Sequence, residues 1–481
     1  MKNTPYYADL HLHPTIKSFN WNAKDGKKNP WETFNHIVPK TPAGRFGDQN
    51  TPTLAKYTQT NFYKLIEGKV RIAFISLYPF ERGFLNMRNV PRLITSKKAV
   101  IEMTAIASGM GFHRVQALDN KVNYYKEFKG EYNYLKENEG ASPCGKYSYK
   151  VVKNYSELQE SLKKKNELAV IVTCEGAHAF FDDKMWEGTM TKRETKEALS
   201  KHVCEVKQWE NPPLFMNLMH HFYNHLGGHA LSLDGMVTNL LNQRKGLEAG
   251  LEGLGLRVMK EMLSNSNGKR ILIDTKHMSV KARIEYYRWI RTNNYINSDS
   301  NVPVICSHTG VSGFKTLQGS KIKADNAAKK KNSYFFNWGI NISDEEINII
   351  HDSKGVAGLI IDKGKLGGGA FLKKADKTTN DVKRKEMYMK LIWDNLFQVI
   401  RATNSKSAWD VFTLGTDYDG AINHVDFYDD ATKLPNLFQD MYEYLDSTNY
   451  EKKLWHGYKP EELLDKLFRT NAMDFLERNF V

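Results

Sequence analysis

Short apolar runs alternate with longer amphipathic segments along this chain. The longer segments, such as VKARIEYYRWIRTNN, repeat their apolar residues at helical spacing, and several of them end at Gly or Asn. Because eight strand-like runs are separated by helical segments, the pattern favours a (β/α)8 TIM barrel of the α/β class. The eight runs are YYADLHLH, VRIAFISLY, LAVIVTCEG, PLFMNLMHH, RILIDTKHMS, NVPVICSHTG, KGVAGLIID and WDVFTLGTDYDG.

Four excursions interrupt the alternation, near residues 18–52, 114–150, 314–338 and 362–384. They are rich in Lys, Asn, Gly and aromatic residues, so we interpret them as loops that line the mouth of the barrel. The tail KPEELLDKLFRTNAMDFLERNF carries an apolar helical stripe that should pack on the outside of the barrel. We find no internal repeat and no flexible linker, so residues 1–481 are predicted to form a single domain.

Composition narrows the class of protein. Hydrophobic residues make up 41% of the 481 residues, and no run of about 18 apolar residues could span a bilayer, so we expect no membrane partner. The net charge of +14 comes from scattered lysines without a recognition motif, so we expect no nucleic-acid partner.

The four cysteines lack CxxC spacing and are predicted to be free thiols. Since MKNTPYY leads directly into the first strand, a cytoplasmic location is expected, unless a leader precedes the sequence given.

The first strand raises a chemical question. In an extended strand Asp9, His11 and His13 share one face, so two imidazoles could reach one ion. The alternative is a half-buried strand whose polar face happens to be rich in histidine. The other strand ends favour the metal, because most of them also end in a histidine or a carboxylate, and the strand ends of such a barrel converge on one face. These residues are His11, His13, Glu175, His220, His277, His308 and Asp417.

Imidazole and carboxylate groups are the ligands expected for zinc or a similar divalent ion, and a carboxylate between imidazoles can bridge two ions. Taken singly, His277 or His308 is better explained as a hydrogen-bonded histidine at a strand end than as a ligand. Taken together, the residues predict a metal site that holds two divalent ions, with zinc as the first candidate.

Several motifs occur in an order that is known from one protein family. TCEGAHAF, NLMHHFYNH, ILIDTKHMS, PVICSHTG, TLGTDYDG and LPNLF resemble those of the membrane dipeptidase family, also called renal dipeptidase or peptidase M19, in the amidohydrolase superfamily. The resemblance covers most of the barrel and none of the four excursions.

The resemblance implies a role for each residue. Glu175 corresponds to the bridging carboxylate, His277 and His308 correspond to the ligands of one zinc, and His11 and His13 would hold the other with Glu175. It further implies that His220 contacts the substrate and that Asp417 handles protons. The sequence leaves open whether the protein forms a homodimer.

Two positions depart from the family pattern. The first motif usually reads His-x-Asp, whereas this chain has His13 in place of the aspartate. The family's arginine for the substrate carboxylate corresponds to Ile340, so either a lysine of the 314–338 excursion supplies that charge or the substrate differs. We therefore expect weak activity on ordinary L,L-dipeptides.

The predicted reaction is hydrolysis of a dipeptide-like amide in a small-molecule substrate, by a hydroxide that bridges the two ions. His220 would stabilise the oxyanion, and Asp417 would move the proton to the leaving nitrogen. Two alternatives remain: an amidohydrolase that acts on a lactone or a cyclic amide, and a catalytically silent binding protein that retains metal.

Overall fold

Each of the eight apolar runs contains a strand. The structure, a computed structural model, describes residues 5–19, 28–34, 40–50, 58–87, 96–233, 241–293, 301–320, 334–420 and 422–481. Its strands are β1 (Tyr7–Leu12), β2 (Val70–Leu77), β3 (Gly140–Ala141), β4 (Ser148–Val151), β5 (Glu167–Cys174), β6 (Phe215–Asn217), β7 (Leu272–Asp274), β8 (Ile305–Thr309), β9 (Val356–Leu359) and β10 (Phe412–Leu414). The short hairpin of β3 and β4 was not predicted.

The barrel strands follow the order β1-β2-β5-β6-β7-β8-β9-β10, and each is parallel to its neighbour. Backbone hydrogen bonds connect the segment that follows β10 back to the end of β1: the backbone N–H of Asp417 donates to His11 O at 2.9 Å, and His13 N donates to Tyr418 O at 3.0 Å. The buried Asp9 carboxylate adds bonds from the backbone N–H of Thr416 at 2.9 Å and from its hydroxyl at 2.6 Å. The predicted (β/α)8 TIM barrel is confirmed.

Continuous apolar runs form the central strands because both faces of a barrel strand are covered. In β5, with the sequence ELAVIVTC, all eight residues are buried. Its register with β2 runs without a break from Ile72 opposite Ala169 to Leu77 opposite Cys174. This regular pairing fixes the point at which β5 ends, and Glu175 is the next residue.

Helices surround the barrel. Several begin at side-chain caps: Thr191 and Glu194 form a capping box, and so do Ser343 and Glu346. The helices are α1 (Pro42–Asn50), α2 (Phe62–Glu67), α3 (Lys97–Ser108), α4 (Phe112–Asn120), α5 (Tyr124–Glu137), α6 (Tyr155–Lys163), α7 (Asp183–Trp186), α8 (Lys192–Lys207), α9 (Gly253–Leu263), α10 (Val280–Thr292), α11 (Asp344–Asp352), α12 (Lys363–Leu366), α13 (Gly369–Asp376), α14 (Asp381–Thr403), α15 (Leu434–Thr448), α16 (Pro460–Asp465) and α17 (Asn471–Asn479).

The interpretation of all four excursions as loops is wrong for two of them. Residues 114–150 contain most of α4, all of α5 and the β3–β4 hairpin, and β4 adds to the sheet beside β5. Residues 362–384 contain α12 and α13. In α5 the aromatic residues Tyr124, Phe128 and Tyr132 recur every four positions and are buried, so they form a helical face. Parts of the 18–52 and 314–338 excursions lie outside the described residues.

The C-terminal tail packs as predicted. Leu463, Leu464, Leu467, Phe468 and Phe475 are all buried. The Phe468 ring meets the ring of Tyr7 on β1 at a centroid distance of 4.9 Å, so the tail covers the outside of the first strand. All four cysteines are free thiols, as expected. Among the described residues, no helix combines the length and the apolar character needed to cross a bilayer.

Candidate metal centre

The Glu175 carboxylate lies between two pairs of imidazoles at the carboxyl ends of the strands. His11 Nε2 and His13 Nε2 are 3.1 Å apart, and His277 Nε2 and His308 Nε2 are 3.3 Å apart. Glu175 Oε2 lies 3.1 Å from His13 Nε2, and Oε1 lies 3.2 Å from His277 Nε2. Oε1 is also 3.6 Å from His11 Nε2 and 3.7 Å from His308 Nε2. The structure thus brings together all five predicted ligands.

The two predicted catalytic residues adjoin the same cluster. His220 Nε2 lies 3.4 Å from Glu175 Oε2. Asp417 Oδ1 lies 3.6 Å from His13 Nε2 and 3.8 Å from His11 Nε2, while its Oδ2 lies 3.9 Å from His308 Nε2. Asp417 therefore contacts both imidazole pairs, and His220 contacts the central carboxylate.

Two of these residues have a left-handed backbone. His277 has φ = 67° and Asp417 has φ = 60°, a region that residues other than Gly seldom adopt. Such a conformation costs on the order of 1–3 kcal/mol, so the surrounding structure must enforce it. Each residue lies three positions after the end of a strand, β7 for His277 and β10 for Asp417, and the backbone aims each side chain at the mouth of the barrel.

Hydrogen bonds to the second ring nitrogen orient the ligands. His13 Nδ1 lies 2.9 Å from Ser76 O, and since a carbonyl only accepts, this nitrogen carries a proton and Nε2 is the atom that faces the cluster. His308 Nδ1 contacts Ser307 Oγ at 2.9 Å. Asp274, buried at the end of β7, accepts from the backbone N–H of Ser307 at 3.0 Å and so ties the ends of β7 and β8 together.

Burial keeps most of the imidazoles neutral. It lowers the pKa of His11 to about 4 and that of His277 to about 3, and it lowers the pKa of His308 well below the ordinary value. Burial would lower the pKa of His13 as well, but hydrogen bonding to Glu175 and the charges of Glu175 and Asp417 outweigh it and raise that pKa to about 9. Neutral imidazole is the form that binds a metal.

The two carboxyl groups of the cluster differ in acidity. Burial would raise the pKa of Glu175, but the charges of His220 and His11 hold it well below its usual range. Burial and the neighbouring Glu175 charge raise the pKa of Asp417 well above its usual range. Glu175 is thus the permanent anion of the site, and Asp417 is the group suited to holding a proton.

The residues present fit divalent ions. Among the described residues, three groups have donor atoms within 4.8 Å of one another, and each contains at least one predicted ligand: His11, His13 and Asp417; His11, Glu175 and His308; and His220, His221 and His277. Glu175 Oε1 is buried and accepts no hydrogen bond from any residue that the structure describes. A buried carboxylate oxygen among neutral imidazoles is the environment that zinc or a similar ion stabilises.

Sequence reasoning missed two residues of this region, Glu81 and Lys276. Glu81 Oε2 lies 2.6 Å from His220 Nδ1, and it also accepts from the Tyr78 hydroxyl at 2.9 Å. Burial would raise the pKa of Glu81, but the charge and hydrogen bond of His220 hold it well below its usual range. The sequence did contain a signal for Glu81, because no site residue had been assigned to the end of the second strand. Lys276 precedes His277, and burial lowers its pKa.

The position of the expected arginine is apolar. Ile340 is buried in a small cluster, separate from the main core, with Ala230, Phe336 and Trp338. Of the lysines proposed as substitutes, Lys315 is exposed. The others, Lys321, Lys323, Lys329, Lys330 and Lys331, lie outside the described residues.

The sequence matches no known family profile and no curated protein. Solved structures do resemble the fold. A metallo peptidase from Rhodobacter sphaeroides, liganded with a phosphinate mimic of the dipeptide L-Ala-D-Ala, aligns at 15% identity and a TM-score of 0.55, covering 99% of this chain and 100% of its own. The dipeptidase AC, a metallo peptidase of family M19, aligns at 16% identity and a TM-score of 0.51, covering 99% of both chains.

A third structure, the probable dipeptidase PvdM from Pseudomonas aeruginosa, aligns at 14% identity and a TM-score of 0.50, covering 98% of this chain and 94% of its own. At such low identity the likeness concerns the fold, and it extends over nearly the whole length. The chain therefore has the fold of the M19 dipeptidases, the family whose motifs its sequence resembles.

Proposed function

We propose that this protein is a metal-dependent hydrolase of the membrane dipeptidase type that cleaves a dipeptide-like amide bond. The observation that carries the proposal is the convergence of four imidazoles on one buried carboxylate, with two further polar groups in reach. His11 and His13 would hold one divalent ion, His277 and His308 would hold the other, and Glu175 would contact both. Bound ions would supply Lewis acidity and would lower the pKa of a water molecule to near neutrality.

His220 has the geometry of an oxyanion donor. Its Nδ1 contacts the ionised Glu81 at 2.6 Å, so Nδ1 carries a proton, and its Nε2 faces the cluster beside Glu175. A protonated Nε2 would donate to the carbonyl oxygen as negative charge develops there. The hydrogen bond between Nδ1 and Glu81 would hold the ring in this orientation.

Asp417 has the geometry and acidity of the proton carrier. It faces His11, His13 and His308 from the segment that follows β10, and its raised pKa allows the carboxyl group to retain a proton. In the proposed reaction Asp417 takes a proton from the attacking water and delivers it to the leaving nitrogen, so that the amine departs neutral.

The test is metal analysis followed by a substrate panel. Protein purified without chelator should contain between one and two equivalents of a transition metal, and the zinc-loaded form should hydrolyse at least one dipeptide. A protein that contains no metal and gains no activity with zinc, manganese or cobalt would contradict the proposal. A lactone and a cyclic amide belong in the panel, because turnover of these alone would favour the alternative amidohydrolase reaction. Stoichiometric metal without turnover of any compound would favour a binding protein.

A further inference from the structure

Glu131 is a buried carboxylate of α5 that the cluster described above does not include. Its oxygens accept from uncharged donors: Oε1 from the Thr15 hydroxyl at 2.6 Å and Oε2 from the backbone N–H of Tyr78 at 2.8 Å. Glu127, one helical turn earlier, has Arg114 as its counter-ion at 2.7 Å. Glu131 forms no ion pair with any Lys or Arg that the structure describes. A buried carboxylate without a cation is costly, so a role for its two hydrogen bonds is indicated.

Both donors belong to segments that hold His13. Thr15 comes two residues after His13, in the turn that follows β1. Tyr78 comes two residues after Ser76, whose carbonyl oxygen accepts from His13 Nδ1 at 2.9 Å. The rings of Tyr78 and His13 also contact each other, with centroids 6.1 Å apart. Glu131 therefore ties the segment that follows His13 to the segment that accepts the hydrogen bond of its imidazole.

The same carboxylate is connected to the backbone of Glu175 through one peptide group. The peptide group between Leu77 and Tyr78 donates its N–H to Glu131, and its carbonyl oxygen accepts from the backbone N–H of Glu175 at 2.9 Å. Because a peptide group is planar, holding its N–H also holds its carbonyl. Hydrogen bonds in such a series polarise and strengthen one another. Glu131 is thus connected to both His13 and Glu175, whose side chains approach to 3.1 Å in the cluster.

We infer that Glu131 is a positioning residue for the ion that His11 and His13 would hold with Glu175. Its two hydrogen bonds fix the end of β2 against the turn after β1, so that the imidazole of His13 and the carboxylate of Glu175 stay close enough to share an ion. Neither hydrogen bond reaches the segment of His277 or His308, so the ion held there should not depend on Glu131. The inference rests on the proposed function for its metal, but zinc binding can be measured without turnover.

The experiment is titration of the metal-free protein with zinc, in competition with a chelator of known affinity, to obtain a dissociation constant for each of two ions. Glu131→Met loses both hydrogen bonds, so one zinc ion should bind at least about tenfold more weakly than in the wild type, while the affinity for the other stays unchanged. Glu131→Gln should bind both ions as the wild type does, because its amide can accept from the Tyr78 N–H and donate to the Thr15 hydroxyl.

A second variant tests the same contact with a smaller change. Thr15→Val removes one hydroxyl and keeps the shape of the side chain, so it should weaken the binding of one zinc ion only, as Glu131→Met does. If Glu131→Met does not fold, Thr15→Val takes its place. An unchanged zinc affinity in Thr15→Val would then overturn the inference.

Two controls separate positioning from a general loss of stability. Leu135→Ala removes buried contacts from the same face of α5, one turn after Glu131, so it should lower the free energy of unfolding and leave both zinc affinities unchanged. In a protein that already carries His13→Ala, Glu131→Met should cause no further change in zinc affinity, because the ligand that Glu131 positions is gone.

Four results would overturn the inference: no change or an equal weakening of both ions in Glu131→Met, the same weakening in Leu135→Ala, a further loss when Glu131→Met is added to His13→Ala, or a Glu131→Gln variant as weak as Glu131→Met. The last result would mean that the charge matters and not the hydrogen bonds. A wild type that binds two zinc ions and hydrolyses no dipeptide would contradict the proposed function alone, whereas one that binds no zinc would contradict both.

Discussion

Glu175 is the single residue on which the site depends most. Glu175→Gln keeps the size of the side chain but removes the central charge. We therefore expect the metal content to fall and the rate of hydrolysis to drop at least about a hundredfold, which exceeds the loss expected for a residue that only orients a metal ligand. Elemental analysis and steady-state kinetics measure both. Glu167→Gln is the matched control, since Glu167 begins the same strand at the other end of the barrel. Full activity in Glu175→Gln would show that the cluster is not the catalytic site.

Asp417 should be separable from metal binding. We expect Asp417→Asn to retain metal and to lower kcat by about 10²–10⁴, because the amide cannot accept and release the proton. Metal analysis and kcat are the readouts, and Asp410→Asn, on the exposed approach to β10, is the control. A loss of metal equal to the loss of rate would make Asp417 a ligand instead.

Lys276 should decrease the stability of the protein. Its Nζ is buried and has no hydrogen-bond partner among the described residues, which costs about 1–3 kcal/mol, so Lys276→Met should raise the free energy of unfolding of the metal-free protein by that amount. Urea unfolding measures the difference. A destabilised variant would mean that the ammonium has partners in solution.

Individual residues of the cluster could be predicted because the same sequence pattern recurs at several strands. A histidine or carboxylate after an apolar run identified all seven residues that lie together in the cluster, because the barrel brings strand ends together. Glu81 escaped this reasoning since it lies four residues beyond Leu77, the last residue of β2. Lys276 escaped because lysine is usually solvated, and only the packing around β7 buries it.

At the scale of elements, a buried ion pair joins the 114–150 excursion to the barrel. Arg114 Nε and Nη2 donate to Glu127 Oε1 at 2.9 and 2.7 Å, and Arg114 Nη1 donates to the carbonyls of Ile16 and Phe19 at 2.8 and 3.1 Å. This pair connects α4 and α5 to the segment that follows His13.

Removing only one partner of the Arg114–Glu127 ion pair should destabilise the protein. Arg114→Met leaves the Glu127 charge buried and alone, so we expect a loss of about 3–5 kcal/mol in the free energy of unfolding. The double variant Arg114→Met/Glu127→Met should be more stable than the single one, because it removes both charges. Urea unfolding of the three proteins measures this, and a double variant as unstable as the single one would contradict the argument.

The barrel elements were predictable and the added ones were not. Strands such as β5 are uniformly apolar, and their alternation with helices identified the fold. In α5 the helical spacing is carried by tyrosine and phenylalanine among lysines, a composition that also suits a loop, so only the burial of one face distinguishes the two. The β3–β4 hairpin is short, and its place beside β5 depends on contacts between distant parts of the chain.

For the whole molecule, metal should contribute to stability. Ions that bind only the folded barrel add about 2.7 kcal/mol when free zinc is at 100 times its Kd. We therefore expect chelation to lower Tm by several degrees and zinc to restore it. Glu175→Gln should show little of this shift. An equal effect of chelator on that variant would place the stabilising ion elsewhere.

The proposed ligands are spread along the chain, and this determines when a newly made protein can bind metal. The first and last proposed ligands, His11 and His308, are about 300 residues apart, so a ribosome that adds about 5–20 residues per second needs tens of seconds to complete the set. The first two histidines emerge long before their partners exist. In the proposed enzyme, metal binding would therefore follow synthesis, and the ion acquired would be the one that the compartment offers to a finished barrel.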